Sequence, residues 1–307
     1  FSFIFGIWSD IRKSDVVYIQ YLFHYTVLFA LFFSVLQHKK IIICPRGSFS
    51  EFTLSNKFTL IKKIWLFLFI RPFVNQIVWQ ASSYLEEFDI KKRFPTTIVE
   101  IINDGVDFQS FQGCEAISKI DLVNKYSKRS SVNVSNLFLS IGRLHKIKRF
   151  DILIDAFYLF LQEHKDAKLI IAGGDDGVGD QLNMQIKRLN IESSVFLIGA
   201  IDFDEKKMLL NNCDYFTLAS EFESFGIVVA EALSSGLPVV ISNKTPWKDI
   251  EINNYGVFAQ NEKESFSQAF QKVQTIKYNK EQIKKYVQEN YDWKIIVEKF
   301  INCIQSS

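Results

Sequence analysis

Among its 307 residues the chain has only 13 glycines, 5 prolines, 4 cysteines, 4 histidines and 2 methionines. The cysteines (Cys44, Cys114, Cys213, Cys303) are widely scattered, with no Cys-x-x-Cys spacing and no histidine at metal-ligand spacing. That pattern reads as a reducing compartment without a zinc site. No strand-like run leads into Gly-x-Gly-x-x-Gly with an acidic partner, which removes the fingerprint of NAD-dependent oxidoreductases. Gly173-Gly174-Asp175-Asp176-Gly177 comes nearest and reads as a turn. The apolar run Val16 to Leu36 is interrupted by Gln20, His24, Tyr25 and Thr26 and bracketed by Asp15 and Lys39. A buried strand followed by a helix therefore fits it better than a membrane span. A signal peptide is lacking too: FSFIFGIW has no initiating Met, basic n-region or small-residue cleavage site. An opening without Met predicts a piece of a longer protein.

An excess of one sign of charge is also lacking, with 36 Lys/Arg against 34 Asp/Glu. The formal net charge is +2, and no nucleic-acid partner is expected. The balance is uneven, because residues 1–100 hold 12 Lys/Arg against 7 Asp/Glu. That third is also rich in Phe, Ile, Leu and Trp, with Lys62, Lys63 and Arg71 close to Trp65, Phe67 and Phe69. Two readings stay open: a basic, aromatic face resting on anionic lipid headgroups, or an aromatic core with a solvated basic rim.

Apolar strand-like runs alternate with amphipathic helical runs, the pattern of parallel sheets with helices on both faces. The first series predicts strands at 15–19, 41–44, 76–80 and 98–101, with helices near 26–36, 60–69 and 84–88. Asn103-Asp104-Gly105 is a turn signal, and the stretch to about Asn136 is polar and weakly periodic. The second series predicts strands at 137–141, 168–172, 195–198, 215–218, 239–241 and 256–258. Helices fall between them, and the tail from Lys280 reads as helical. The expected organisation is a partial N-terminal unit over 1–107, a linker over 108–136, a C-terminal Rossmann-like unit over 137–279, and helices over 280–307 packing back toward the first unit.

Ligands bind open parallel sheets at the carboxyl ends of strands, where loops meet helix N-termini. The 137–141 strand runs into Gly142-Arg143-Leu144-His145-Lys146-Ile147-Lys148. Arg143 can grip phosphate oxygens in a bidentate fork, and Lys148 supplies a compact charge; taken alone, a solvated basic loop explains them as well. The 215–218 strand runs into Ser220-Glu221-Phe222-Glu223-Ser224-Phe225-Gly226, and the next helix carries Glu231. Because Cα–Cβ bonds tilt toward a helix N-terminus, Glu231 is expected to face the same mouth as Glu223. The N–H groups of Phe225, Gly226 and Ile227 are unpaired within the helix and suit phosphate or hydroxyl oxygens.

These residues resemble the retaining, metal-independent glycosyltransferases of the "group 1" family with the GT-B fold. The matching segments are GRLHKIKRFDILIDAF, AGGDD, the Glu-x7-Glu stretch EFESFGIVVAEALSSGLPVV, and TPWKDI. The resemblance implies an α/β GT-B fold: two Rossmann-like domains with parallel sheets, the N-terminal one incomplete. It assigns Arg143 and Lys148 to the donor diphosphate, Glu223 to hydroxyls of the transferred sugar and Glu231 to the nucleotide ribose. Gly142, Ser224, Phe225, Gly226 and Ile227 would lie against sugar and phosphate, and Gly199 beside the base. Arg149, where a Gly often follows the lysine, is expected to begin the next helix. Arg46-Gly47 stands where members often have His-Gly; a guanidinium is no general base, so Arg46 either binds an acidic acceptor or pairs with a carboxylate.

The function so implied is transfer of a sugar from a nucleoside-diphosphate sugar to a hydroxyl of a glycan or lipid-linked acceptor, with retention, in bacterial surface polysaccharide synthesis. No cofactor or metal is expected beyond the nucleotide sugar. The expected location is cytoplasmic, with contact at the inner membrane face. The competing reading is a truncated, non-catalytic nucleotide-binding fragment. Asp202-Phe203-Asp204 matches the DxD of metal-dependent transferases, but Asp204 is better explained as a helix N-cap with Asp202 in the preceding turn.

Overall fold

Short β-branched and aromatic runs become strands wherever both faces can be covered, and the chain does this in two separate units. The computed structural model describes residues 2–55, 58–127 and 133–306. By their contacts the units are Phe1–Asp104 with Lys294–Ser307, and Gly105–Trp293.

The first unit contains α1 (Ser2–Lys13), β1 (Val16–Gln20), α2 (Tyr25–Leu36), β2 (Lys40–Cys44), α3 (Glu51–Ser55), α4 (Thr59–Trp65), β3 (Ile77–Ala81), α5 (Tyr84–Arg93) and β4 (Val99–Ile101). Its sheet is parallel, in the order β1-β2-β3-β4. The central strands KIIIC and IVWQA are buried almost throughout, as strands covered on both faces must be. The run from Val16 to Leu36 is a strand and a 12-residue helix. Among the described residues no helix is long and apolar enough to cross a membrane. The helix expected over 60–69 stops being regular at Trp65 and continues as a π-helical turn, Leu66–Ile70, and a 3-10 segment, Arg71–Gln76. Pro72, which has no N–H to donate, stands at the start of that segment. From the C-terminal helix (Trp293–Ser306), Ile296 and Cys303 are buried with Ile42, Val78 and Ile102 of this unit.

The second unit contains α6 (Lys119–Tyr126), β5 (Leu137–Ile141), α7 (Phe150–Phe160), β6 (Lys168–Ala172), α8 (Gly179–Arg188), β7 (Val195–Gly199), α9 (Phe203–Asn212), β8 (Tyr215–Leu218), α10 (Ile227–Ser234), β9 (Val239–Ser242), α11 (Asp249–Ile252), β10 (Gly256–Ala259), α12 (Lys263–Thr275) and α13 (Lys280–Tyr291). The six strands are parallel, in the order β10-β9-β8-β5-β6-β7. Within the stretch that reads as weakly periodic, Ser118 caps α6, which buries Leu122 and Val123 in the core. One face of the sheet is sealed by an aromatic cluster: Phe138 lies 5.7, 5.6 and 4.9 Å, centroid to centroid, from Phe157, Phe160 and Phe270. Each such buried ring contributes about 1.5–3 kcal/mol.

The sheet order places a topological switch point between β5 and β8: the chain builds outward from β5 through β6 to β7, and from β8 through β9 to β10. Loops leaving β5 and β8 therefore diverge around a common crevice. The cap of α9 differs from expectation. It is Asp202, in extended conformation, whose carboxylate accepts from the Glu205 N–H at 2.8 Å. Asp204 lies one residue inside the helix, too far along to cap it.

Candidate functional site

The end of β5 is held against the end of β6 by backbone alone. The Gly142 N–H donates to the Ala172 carbonyl at 2.9 Å, and Leu144 N–H donates to the Gly174 carbonyl at 2.8 Å. A Cβ on Gly173 would lie 1.9 Å from the Gly142 carbonyl oxygen, so the close approach requires glycine. Gly173 N–H in turn donates to the Gly199 carbonyl at 2.7 Å, which brings the end of β7 alongside.

From Gly142 the chain passes through a 3-10 turn, Lys146–Lys148, capped by the His145 ring, whose Nδ1 accepts from the Ile147 N–H at 3.2 Å. His145 is thus turned onto its own backbone. Arg149 does not begin α7; it precedes it in the left-handed region at φ 49°. This is a conformation that glycine adopts without strain, and Arg149 is kept there with its guanidinium on Asp151 and Glu221.

Lys148 then reaches across to the β8 loop. Its Nζ donates to Glu223 Oε1 at 2.5 Å, and the Ser220 hydroxyl donates to the same oxygen at 2.6 Å. The two charged side chains are 17 % and 13 % exposed. Backbone ties the loops as well, Glu221 N–H donating to the Ile147 carbonyl at 2.8 Å. Beyond Glu223 and Ser224, Gly226 at φ 82° caps α10, and the buried Phe225 gives its carbonyl to the Trp247 indole N–H at 2.7 Å. Trp247 is itself buried between Phe225 and Tyr291.

Arg143 is more open. Its side chain is 73 % exposed and ion-paired with Asp176, and with Gly142, Gly173 and Gly174 it borders a cleft of about 340 Å³ that also reaches Phe203 and Lys206. Glu231, in α10, is only 9 % exposed and accepts from Lys206 Nζ at 2.6 Å. Burial raises its carboxyl above the ordinary range, and the hydrogen bond and charge of Lys206 oppose that rise. Each carboxylate of the Glu-x7-Glu stretch therefore has its own lysine. In the first unit Arg46 and Gly47 both have positive φ, Arg46 is ion-paired with Asp104, and the Gly47 N–H donates to Glu86 Oε1 at 2.5 Å.

Sequence reasoning missed Lys206, Ser220, Asp176 and Glu86. Lys206 follows the end of β7, so the strand-end rule applied to β5 and β8 would have found it. Ser220 is a local partner of Glu223, whereas Asp176 and Glu86 meet Arg143 and Gly47 across 33 and 39 positions; the Ser83-x-x-Glu86 spacing marks a helix start, not the contact with Gly47.

Fold and site together define a doubly wound α/β protein with a polar strand-end site at its switch point. The model of the family "Glycosyl transferases group 1" matches residues 124–290, more than half of the chain, and the chain belongs to that family. An "uncharacterized glycosyltransferase" of Methanocaldococcus jannaschii is 29 % identical over 237 residues, which are 74 % of this chain and 59 % of that protein. The N-acetylgalactosamine-N,N'-diacetylbacillosaminyl-diphospho-undecaprenol 4-alpha-N-acetylgalactosaminyltransferase of Campylobacter jejuni is 29 % identical over 191 residues, 62 % of this chain and 47 % of that protein. The chain thus spans about half of the length of these two relatives. The crystal structure of Anabaena HepE in complex with UDP and glucose matches with a TM-score of 0.77 at 18 % identity, covering 100 % of this chain and 82 % of that one. The fold is GT-B.

Proposed function

We propose that the second unit binds a nucleoside-diphosphate sugar and that the protein transfers this sugar, with retention and without a metal or other cofactor, to a hydroxyl of a glycan or lipid-linked acceptor in bacterial surface polysaccharide synthesis. The observation that carries the reading is the Lys148–Glu223 pair with Ser220 at the switch point, beside the N-terminus of α10. In this reading Lys148 and Arg143 hold the diphosphate and offset the charge that develops on it as the sugar departs; fixed cations in a dry cleft act most strongly there. Glu223 orients sugar hydroxyls, Glu231 accepts from the ribose, Gly199 lies beside the base, and backbone from Gly142 and Ser224 to Ile227 contacts sugar and phosphate. In the first unit, Arg46 and Gly47 serve the acceptor. Retention and metal independence rest on the family resemblance; the product's anomeric configuration and turnover in EDTA test them. Leu60, Ile61, Ile64, Phe67 and Leu68 are exposed near Lys62, Lys63 and Arg71, which supports contact with an anionic lipid surface at the cytoplasmic face.

The test is a thermal-shift series with UDP, GDP, ADP and TDP, followed by a donor screen with the corresponding sugars. Ligand at 100 times its Kd stabilises by about 2.7 kcal/mol, so one nucleotide is expected to raise the melting temperature by several degrees. No shift with any of them would sink the reading. Stabilisation without sugar transfer would favour the second reading, a nucleotide-binding piece without activity, which the chain's share of its relatives' length motivates.

A further inference from the structure

Trp247, in the TPWKDI segment, stands outside the groups assigned to the donor and is nevertheless built into their support. It is 2 % exposed, and its indole N–H donates to the Phe225 carbonyl at 2.7 Å. Its ring lies 5.0 Å, centroid to centroid, from both Phe225 and Tyr291. Tyr291 is anchored in turn: its carbonyl accepts from the Val106 N–H at 2.8 Å, and its ring lies 5.7 Å from Tyr286. A buried indole with its one donor satisfied and rings on two sides is held in one orientation.

The Phe225 carbonyl belongs to the same peptide group as the Gly226 N–H. That group is trans, so its carbonyl and its N–H point in opposite directions. Fixing the carbonyl on Trp247 therefore also fixes the Gly226 N–H, directed away from the indole. Gly226 is seated against both side chains: a Cβ built on it would lie 3.4 Å from Trp247 Nε1 and 3.5 Å from Glu223 Cγ. As the N-cap of α10, at φ 82°, it has no side chain with which to close that helix end, and the first N–H groups of a helix have no partners inside it.

We propose that Trp247 is a positioning residue for the donor's terminal phosphate: by holding the Phe225 carbonyl it aims the Gly226 N–H at the phosphate that carries the sugar. This rests on the reading that the second unit binds a nucleoside-diphosphate sugar, with Glu223 on the sugar. Because Gly226 lies against Glu223, the phosphate it meets is the one nearest the sugar. A donor fixed before the ligand arrives needs no reorganisation as charge develops, and its hydrogen bond to an ionised phosphate is stronger than one between neutral groups.

The experiment measures binding, by calorimetry, of UDP or GDP, whichever stabilises the protein, and of the matching monophosphate. Trp247→Phe keeps a ring between Phe225 and Tyr291 but removes the donor. In this variant the preference for diphosphate over monophosphate is expected to fall about tenfold, with monophosphate affinity within about twofold of the wild type. Trp247→His, whose Nε2 can take the place of the indole Nε1 and donate there, is expected to keep the preference within about threefold. Phe157→Leu, in the aromatic cluster away from Trp247, destabilises the fold and is expected to leave the preference unchanged. In the wild type itself, the Gly226 amide is expected to gain protection from hydrogen exchange with the diphosphate and not with the monophosphate. An unchanged preference in Trp247→Phe overturns the proposal, as does an equal weakening of both nucleotides, which assigns Trp247 to folding alone. So does an equal fall in Trp247→His or in Phe157→Leu, or a Gly226 amide that responds alike to both nucleotides. If neither UDP nor GDP binds the wild type, the donor-site reading fails and this inference falls with it; if the wild type binds diphosphate and monophosphate equally, this inference alone fails.

Discussion

Lys148 Nζ and Glu223 Oε1 lie 2.5 Å apart at the ends of β5 and β8, strands that pair directly in the sheet. Neither residue reaches the other through local sequence, since 75 positions separate them. Removing one member leaves a mostly buried charge unmatched. Lys148→Met and Glu223→Gln are each expected to destabilise the protein toward the lower end of the roughly 3–5 kcal/mol seen for broken buried pairs. The double variant should be less unstable than the sum of the two, by about 1–3 kcal/mol. Urea unfolding of the four proteins measures this coupling; strictly additive losses would show that the two charges do not interact.

In the first unit the carboxylate of Glu86 is a hub. It is 2 % exposed and accepts from the Gly47 N–H at 2.5 Å, the Ser82 N–H at 2.8 Å and the Ser82 hydroxyl at 2.6 Å. Glu86→Ala orphans these donors, and the expected cost is about 2–4 kcal/mol. The local signature is faster hydrogen exchange at the Gly47 and Ser82 amides. Protection unchanged at both amides would mean that other acceptors hold them.

How much of this was legible in the sequence follows from the range of each interaction. The spans of β5, β6 and β8 are readable because LFLSI, KLIIA and YFTL are apolar runs flanked by breakers, and buried parallel strands leave that mark. That the loops after β5 and β8 share a crevice follows from the strand-end rule. Backbone conformation was harder to read. Arg149 and Arg46 adopt positive φ although neither is a residue that favours it; Arg46 is paired with Asp104, and Arg149 with the neighbouring Asp151 and the distant Glu221. The cap of α9 was misplaced by two residues, since Asp202 and Asp204 are equally good capping residues and only the extended backbone at Asp202 decides between them. The Lys206–Glu231 pair depends on how α9 and α10 pack, which no periodicity in either helix encodes.

Gly173 and Gly174 are neighbours with opposite demands. At Gly173 a methyl group would collide with the Gly142 carbonyl oxygen, whereas at Gly174 it would meet only Ala200 Cβ at an ordinary 3.8 Å. Gly173→Ala must therefore push the β5 and β6 ends apart, at an expected cost of about 3 kcal/mol. Gly174→Ala should change stability by under about 0.5 kcal/mol. Denaturation midpoints of both variants check the contrast; equal effects would mean that the strand ends move apart freely.

Asp89, in α5, gives the first unit a pH dependence. Burial, reinforced by the negative charges of Glu51 and Glu86 and opposed by Lys92 and Arg93, raises its carboxyl from an ordinary 3.8 to about 6. The folded protein thus holds this proton more tightly than the unfolded chain does. Stability from this group is complete below about pH 3.8 and is lost as the pH rises through about 6, because the folded state must then bear a half-buried charge. Asp89→Asn removes the charge while keeping the size. It is expected to melt above the wild type at pH 8, and the two melting curves should converge as the pH is lowered toward 4.5. A difference that is constant with pH would show that folding leaves the Asp89 proton affinity unchanged, and one that grows on acidification would show that the carboxylate is stabilised in the fold, with Lys92 outweighing its burial.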